Sequence, residues 1–228
     1  DFIANASHEL RTPLVSLKGF LDTITDSAKD DPKSQKKFLD IMKSEANKME
    51  TLIEDLMALS RIELQEHIRL KDKVDIKEVI ENVILLSSKK ISEKKIKVSL
   101  QINENERFVI GDKEKLSAVF LNLLDNAIKY SGDGKFIKIK NSLNKNTLGN
   151  YVSISVIDEG FGITSNDIHR VTERFFRADN IKKLKIEGTG LGLAITKHIL
   201  NQHKGELKIT SLEGKGSEFT VLLPLATQ

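Results

Sequence analysis

The sequence predicts an all-α segment followed by an α+β sandwich, and three observations carry that division. As far as Ile62 the apolar residues recur every three or four positions, the period of a helix face. From Val74 onward short alternating runs, the mark of half-buried strands, interleave with helical stretches. Between the two, Leu64 to Lys73 is charged and aperiodic, as a linker is. The domains that follow are 1–65, helical, and 74–228, the sandwich.

In the first domain Ile3, Ala6, Leu10, Leu14, Leu17, Leu21 and Ile24 mark one face of a helix from Phe2 to Ile24, with Pro13 inside it. The polar stretch from Asp26 to Lys33 connects it to a second helix, Ser34 to Ile62. There Leu39, Met42, Ala46, Met49, Ile53 and Leu56 alternate steps of three and four, the spacing of a coiled coil. Two such helices joined by a short turn form an antiparallel hairpin whose apolar face is half covered. Two copies about a twofold axis close it into a four-helix bundle, so the hairpin predicts a homodimer.

In the second domain Ile76 to Leu86 reads as a helix. Val98 to Ile102 and Phe108 to Ile110 read as strands, and Lys113 to Tyr130 as a helix with Leu116, Val119, Phe120, Leu123, Leu124 and Ala127 on one side. Two strands, Phe136 to Ile139 and Val152 to Ile157, join through a loop containing Asn144, Asn146 and Gly149. Thr164 to Val171 reads as a short helix and Arg174 to Glu187 as a charged stretch without a core pattern. Leu191 to His203 is a helix stopped near Gly205, and strands at Leu207/Ile209 and Phe219/Val221/Leu223 complete a mixed sheet covered by helices on one face.

Composition narrows the function. The 228 residues are 39% hydrophobic and 30% charged, with a net charge of +3, which gives no argument for nucleic acid. Residues 1–63 hold 9 Lys+Arg against 12 Asp+Glu, net −3, which leaves +6 for the remainder, a balance that suits an anionic small ligand but on its own reads first as a solvated surface. The absence of cysteine excludes thiolate chemistry and disulfides. No apolar run approaches the ~18 residues of a membrane span, so no direct membrane contact is expected, and the chain opens inside a helical pattern as a fragment of something longer would.

Four stretches carry chemistry. His8 lies off the apolar stripe of its helix, with Glu9 beside it and Thr12 one turn on; an exposed imidazole next to a carboxylate can act as a nucleophile. Asn122 and Asn126 are four apart on a helix that ends Lys129-Tyr130, so both amides point the same way, and asparagine oxygens can ligate Mg²⁺. Asp158 ends a strand and is followed by Gly160 and Gly162, so a carboxylate can accept from an exocyclic amine where the backbone closes on a ring. Gly188, Thr189, Gly190, Leu191 and Gly192 open a helix, where N–H groups can meet phosphates. The last stretch lacks the Lys-Ser/Thr pair of a P-loop and the βαβ setting of a dinucleotide site.

Taken in this order and spacing, these stretches resemble the catalytic core of two-component sensor histidine kinases over essentially the whole chain. Ser7 to Leu14 is similar to the family's H-box and Asn122 to Tyr130 to its N-box. Asp158 to Gly162, Gly188 to Gly192 and Gly214 to Gly216 are similar to its G-boxes. Arg170 to Asp179 resembles the F-box, with Thr172 where phenylalanine is frequent, a variant similar to sensors of the phosphate-regulon type.

The resemblance implies a Bergerat-type ATP-binding sandwich and an ATP-dependent kinase that phosphorylates His8 and passes the phosphoryl group to a response-regulator receiver domain. Glu9 would be the general base, and Thr12 would position water for phosphatase action on the regulator. Asn122 would hold Mg²⁺, with Asn126 and Lys129 near the phosphates and Asp158 on adenine. Gly160, Gly162 and residues 188–192 would shape the pocket and lid, with Tyr130 also at the nucleotide, and Arg174 and Arg177 at the lid's start would touch either the γ-phosphate or the bundle. The cytoplasmic part of an inner-membrane receptor is the implied setting. A stand-alone ATPase of the same fold and a degenerate scaffold are the alternatives.

Overall fold

The computed structural model describes residues 2–64, 70, 72–146, 149–184, 186 and 188–226. It forms two compact units, Asp1–Ser60 and Arg61–Gln228. The first consists of α1 (Phe2–Thr25) and most of α2 (Pro32–Leu64). Helix α1 runs through Pro13, which is buried. Asp31 starts α2: its Oδ1 accepts from the N–H groups of Lys33 at 3.1 Å and Ser34 at 3.3 Å, satisfying donors that the first turn leaves open. Pro32 takes the first helical position, where a missing N–H costs nothing, so α2 opens two residues before the sequence pattern places it. Phe20 and Phe38 stack across the hairpin with centroids 5.6 Å apart. The expected stripe is covered only in part within one chain, since Ile3, Leu14 and Leu21 of α1 and Leu39, Ile53 and Met57 of α2 remain exposed.

The second unit is built on a five-stranded sheet in the order β2-β4-β5-β7-β6, with ranges Lys97–Gln101, Phe136–Asn146, Gly149–Asp158, Gly216–Pro224 and Glu206–Leu212. The β2–β4 pair is parallel and the other three are antiparallel, so the sheet is mixed as expected. A separate two-stranded ribbon pairs β1 (Lys73–Asp75) with β3 (Phe108–Ile110). Helices α3 (Ile76–Leu86), α5 (Lys113–Tyr130) and α7 (Gly192–Gln202) supply the second layer, with a short α4 at Ser88–Glu93. Val79, Ile80 and Val83 from α3 and Leu116, Phe120, Leu123 and Leu124 from α5 share one core with Ile137, Ile139, Val152, Ile154, Phe219 and Val221 of the sheet.

Several expectations need correction. Thr164 to Val171 is a chain of turns and not a helix. The Thr164 carbonyl accepts from Asp167 and Ile168, and the Asp167 carbonyl accepts from Arg170 and Val171. The Asp167 carboxylate, 3.3 Å from the Asp179 N–H, anchors the next segment. That segment, read as lacking a core pattern, buries Ala178 and Ile181 and forms α6 (Asp179–Lys183). Strands β4 and β5 extend through most of the region expected to be a loop, since their backbones keep pairing as far as Asn146 and Gly149. Lys73, placed in the linker, is already in β1, while most of that linker, with His67, lies outside the described residues.

Candidate functional site

The nucleotide-type residues gather around the C-terminal half of α5. Asp112 caps this helix, its Oδ1 accepting from Glu114 N at 2.9 Å and Lys115 N at 3.1 Å. The apolar side of α5 is buried on the sheet, which leaves Asn122, Asn126, Lys129 and Tyr130 half-buried. The Asn122 Nδ2 donates to Thr196 Oγ1 on α7 at 2.9 Å. A Cβ on Gly192 would run into Asn122 Oδ1, so only glycine leaves this amide its place at the start of α7. A Cβ on Gly188 would stand 3.1 Å from Lys129 Nζ, which puts the ammonium against the glycine loop. Burial raises the pKa of the Tyr130 phenol, and the nearby Arg177 charge partly offsets it.

Asp158 ends β5 in the middle of the sheet and is only 6% exposed. Its Oδ1 accepts from Gly160 N at 2.8 Å and Ser217 N at 3.3 Å. Burial pushes its carboxyl up to about 6, against the pull of those two N–H groups. Gly160 backs onto the carbonyl of Tyr130, which accepts from Phe161 N at 3.2 Å, and so ties the loop after β5 to the end of α5. Gly162, at φ +67°, backs onto the Leu212 carbonyl.

In the glycine stretch before α7, Gly190 adopts φ +71° and its carbonyl accepts from Phe175 N at 2.9 Å. Thr189 Oγ1 accepts from Leu191 N at 3.3 Å, and Leu191 is buried. Arg177 donates from Nη2 to the Ile186 carbonyl, while its Nε is buried with no hydrogen-bond partner among the described residues. Arg174 pairs with Glu63, in the part of α2 that belongs to this second unit.

The structure thus brings Asn122 to Gly192, Lys129 to Gly188, and Tyr130 to Gly160 and Asp158, whereas among the described residues no such contact fixes Asn126. Sequence reasoning missed three hydroxyls. Thr196 is one. Ser211 Oγ accepts from Ile163 N at 2.8 Å and lies 2.9 Å from both the Gly216 carbonyl and Ser217 Oγ, joining the loop after Gly162 to the β6–β7 hairpin. Ser217 holds Asp158 through its N–H. A small hydroxyl at an alternating strand position was the available signal for the serines, and it is common to many strands.

In the first unit His8 lies exposed on α1, its side chain 76% accessible, with Nδ1 3.9 Å from Glu9 Oε1. Thr12 Oγ1 donates to the His8 carbonyl at 3.3 Å, so its hydroxyl stands one turn from the imidazole. Chemically this is an accessible ring nitrogen with a carboxylate near the other nitrogen.

Residues 1–65 match the family described as His Kinase A (phospho-acceptor) domain, and residues 111–227 match the Histidine kinase-, DNA gyrase B-, and HSP90-like ATPase family. The chain is the catalytic core of a sensor histidine kinase. The core is 35% identical to the sensor-like histidine kinase SenX3 of Mycolicibacterium smegmatis, over 98% of this chain and 57% of that protein. It is 32% identical to the sensor histidine kinase WalK of Bacillus subtilis, over 98% of this chain and 36% of that one. The core therefore spans about half or less of the length of these relatives. Among solved structures it resembles full-length ShkA in complex with AMPPNP, with TM-score 0.69 and 25% identity over 99% of this chain and 46% of that one. It shares the fold of the histidine kinase ThkA, solved in complex with the response regulator protein TrrA. That match has TM-score 0.77 and 24% identity, covering 99% of this chain and 61% of that one. The fold expected from the sequence, a helical hairpin followed by a Bergerat-type sandwich, holds.

Proposed function

We propose that this kinase core binds ATP with Mg²⁺ at the residues gathered around the C-terminal half of α5, the loop after β5 and the start of α7, phosphorylates His8, and transfers the phosphoryl group to a response-regulator aspartate. The observation that carries the reading is the buried Asp158 carboxylate. Its Oδ1 is fixed by two backbone N–H groups, and a purine amine is the donor such a group suits. In the transfer the His8 Nε2 lone pair attacks the γ-phosphorus and the bond to the β–γ bridging oxygen breaks. ADP leaves, and the proton on Nδ1 passes toward Glu9. Most of the work is positioning and charge neutralisation. Lys129 and the N–H groups at the start of α7 supply positive potential at the phosphates.

Among the described residues no group of three or more His, Cys, Asp or Glu could hold a metal. A single amide oxygen, that of Asn122, together with nucleotide phosphates fits a hard cation that keeps much of its water. Bound there, Mg²⁺ would neutralise phosphate charge. Thr12, one turn from His8, would orient water for dephosphorylation of the regulator.

The exposed apolar residues along α1 and α2 support a homodimer through the hairpin. The ThkA–TrrA complex supports the receiver-domain partner. No helix among the described residues is long and apolar enough to cross a membrane. The relatives are named as sensors and are longer than this core, which supports the cytoplasmic part of an inner-membrane receptor.

The test is incubation with γ-labelled ATP followed by assay for acid-labile protein phosphate, with wild type and His8→Gln side by side. Label on wild type alone, with nucleotide affinity equal in both, is the expected result. ATP hydrolysis without phosphohistidine would point to a stand-alone ATPase, and absence of nucleotide binding to a scaffold.

A further inference from the structure

Helix α7 turns Ala194, Thr196, Ile199 and Leu200 toward the core. Three of these are apolar, as such a face requires, but Thr196 is a polar residue at 1% exposure. A buried hydroxyl left unpaired costs stability, and an alanine or valine would pack there without that cost. Packing therefore gives no reason for the hydroxyl. Its hydrogen-bond partner does: Thr196 Oγ1 accepts from Asn122 Nδ2 at 2.9 Å.

We propose that Thr196 is a positioning residue that sets the rotation of the Asn122 amide, so that Oδ1 rather than Nδ2 is presented to the cation accompanying the nucleotide phosphates. This rests on the reading of Asn122 as the Mg²⁺ residue. An asparagine amide has one face that attracts a cation and one that repels it, and a half-turn about its terminal bond exchanges the two. The bond from Nδ2 to the buried Thr196 Oγ1 holds the orientation in which Oδ1 is the end left to the cation. Gly192 completes the device from the other side, because any side chain there would occupy the space of Oδ1. The first residue of α7 thus leaves room for the oxygen, and the fifth holds the nitrogen.

Thr196→Val keeps the shape of the side chain and removes only the hydroxyl, and Thr196→Ser restores it. The measurement is AMPPNP affinity by calorimetry on the whole chain, in Mg²⁺ and in EDTA, for wild type and both variants. An outer partner that orients a metal-binding side chain is worth about ten- to a hundredfold in metal affinity. Wild type is expected to bind AMPPNP more tightly in Mg²⁺ than in EDTA. Thr196→Val is expected to lose about tenfold of that gain while its EDTA affinity stays at the wild-type level, and Thr196→Ser to recover it.

A valine variant that keeps the full Mg²⁺ gain overturns the proposal. So does one that weakens equally with and without metal, which would show Thr196 to be a packing residue of the pocket. A wild type with no Mg²⁺ gain removes the Asn122 metal site itself, and the proposal with it; this outcome is distinguished from the others because it is seen before any substitution is made.

Discussion

At the level of single residues, the proposed role of Asp158 together with its burial would tie nucleotide recognition to pH. Its carboxyl sits at about 6 against an ordinary value of 3.8. Between those values the folded chain holds a proton that the unfolded chain has released, so stability attributable to this group falls as pH rises. Above pH 6 the ionised carboxylate costs roughly 3 kcal/mol, and that cost is relieved as pH drops from 6 toward 4. ATP affinity is expected to run the other way, because only the ionised form accepts a charge-assisted bond from the amine. His203, only 3% exposed, opposes the stability trend. Its Nε2 accepts from Asp112 N at 3.0 Å and burial lowers its pKa, so its contribution is full above the unfolded value near 6.5 and is lost as pH falls. Comparing wild type with Asp158→Asn cancels the His203 part. The variant's thermal midpoint should exceed wild type's most above pH 6, and its ATP affinity should be weaker by about ten- to a hundredfold at pH 7.5, converging with wild type near pH 5. A constant gap in affinity across that range would argue that adenine is held elsewhere.

At the level of elements, what was legible and what was not divides along a physical line. Helices α1, α2, α3, α5 and α7 were readable because each buries one face, and a face leaves a period in the sequence. The ribbon strand β1 was not, because Val74 is its one apolar residue and Lys73 reads with the charged linker before it. The turns from Thr164 to Val171 carry helix-like apolar spacing at Ile168 and Val171. They are bent into turns because that stretch must place Asp167 under Asp179. The site followed the same rule: charged and glycine residues with a distinctive order were readable, whereas Ser211 and Thr196 act through side-chain hydrogen bonds that leave no pattern. Ser211→Ala gives a test at this scale. Removing the hydroxyl unties the Gly162 loop from β6–β7 and frees the Gly216–Ser217 segment that holds Asp158. The expected outcome is a rise of about three- to tenfold in the KM for ATP, on the scale of one hydrogen bond, with kcat largely preserved. Gly192→Ala should act more severely, because its new methyl displaces Asn122 Oδ1.

At the level of the whole molecule, the exposed apolar residues of the hairpin predict concentration-dependent assembly. Replacing Ile53 and Met57 together with lysine should halve the mass seen by light scattering and leave AMPPNP affinity unchanged, because neither residue belongs to the unit that holds the pocket. Mixing His8→Gln with Asp158→Asn chains then asks whether phosphate passes between subunits: label appears in the mixture if transfer is in trans and is absent if each chain serves only its own histidine. The sheet order has a further consequence for how the protein breathes. Asp158 closes β5, the middle strand, paired on one side with β4 and on the other with β7. Amides there should open only with global unfolding and exchange with deuterium last. Residues 188–191 lie outside every helix and strand and should exchange orders of magnitude sooner. On the proposed reading, with Asp158 on adenine and residues 188–192 at the phosphates, the adenine half of the site would be permanent architecture and the phosphate half would be renewed with each opening. Nucleotide exchange would then proceed at the rate of a loop, without borrowing stability from the core.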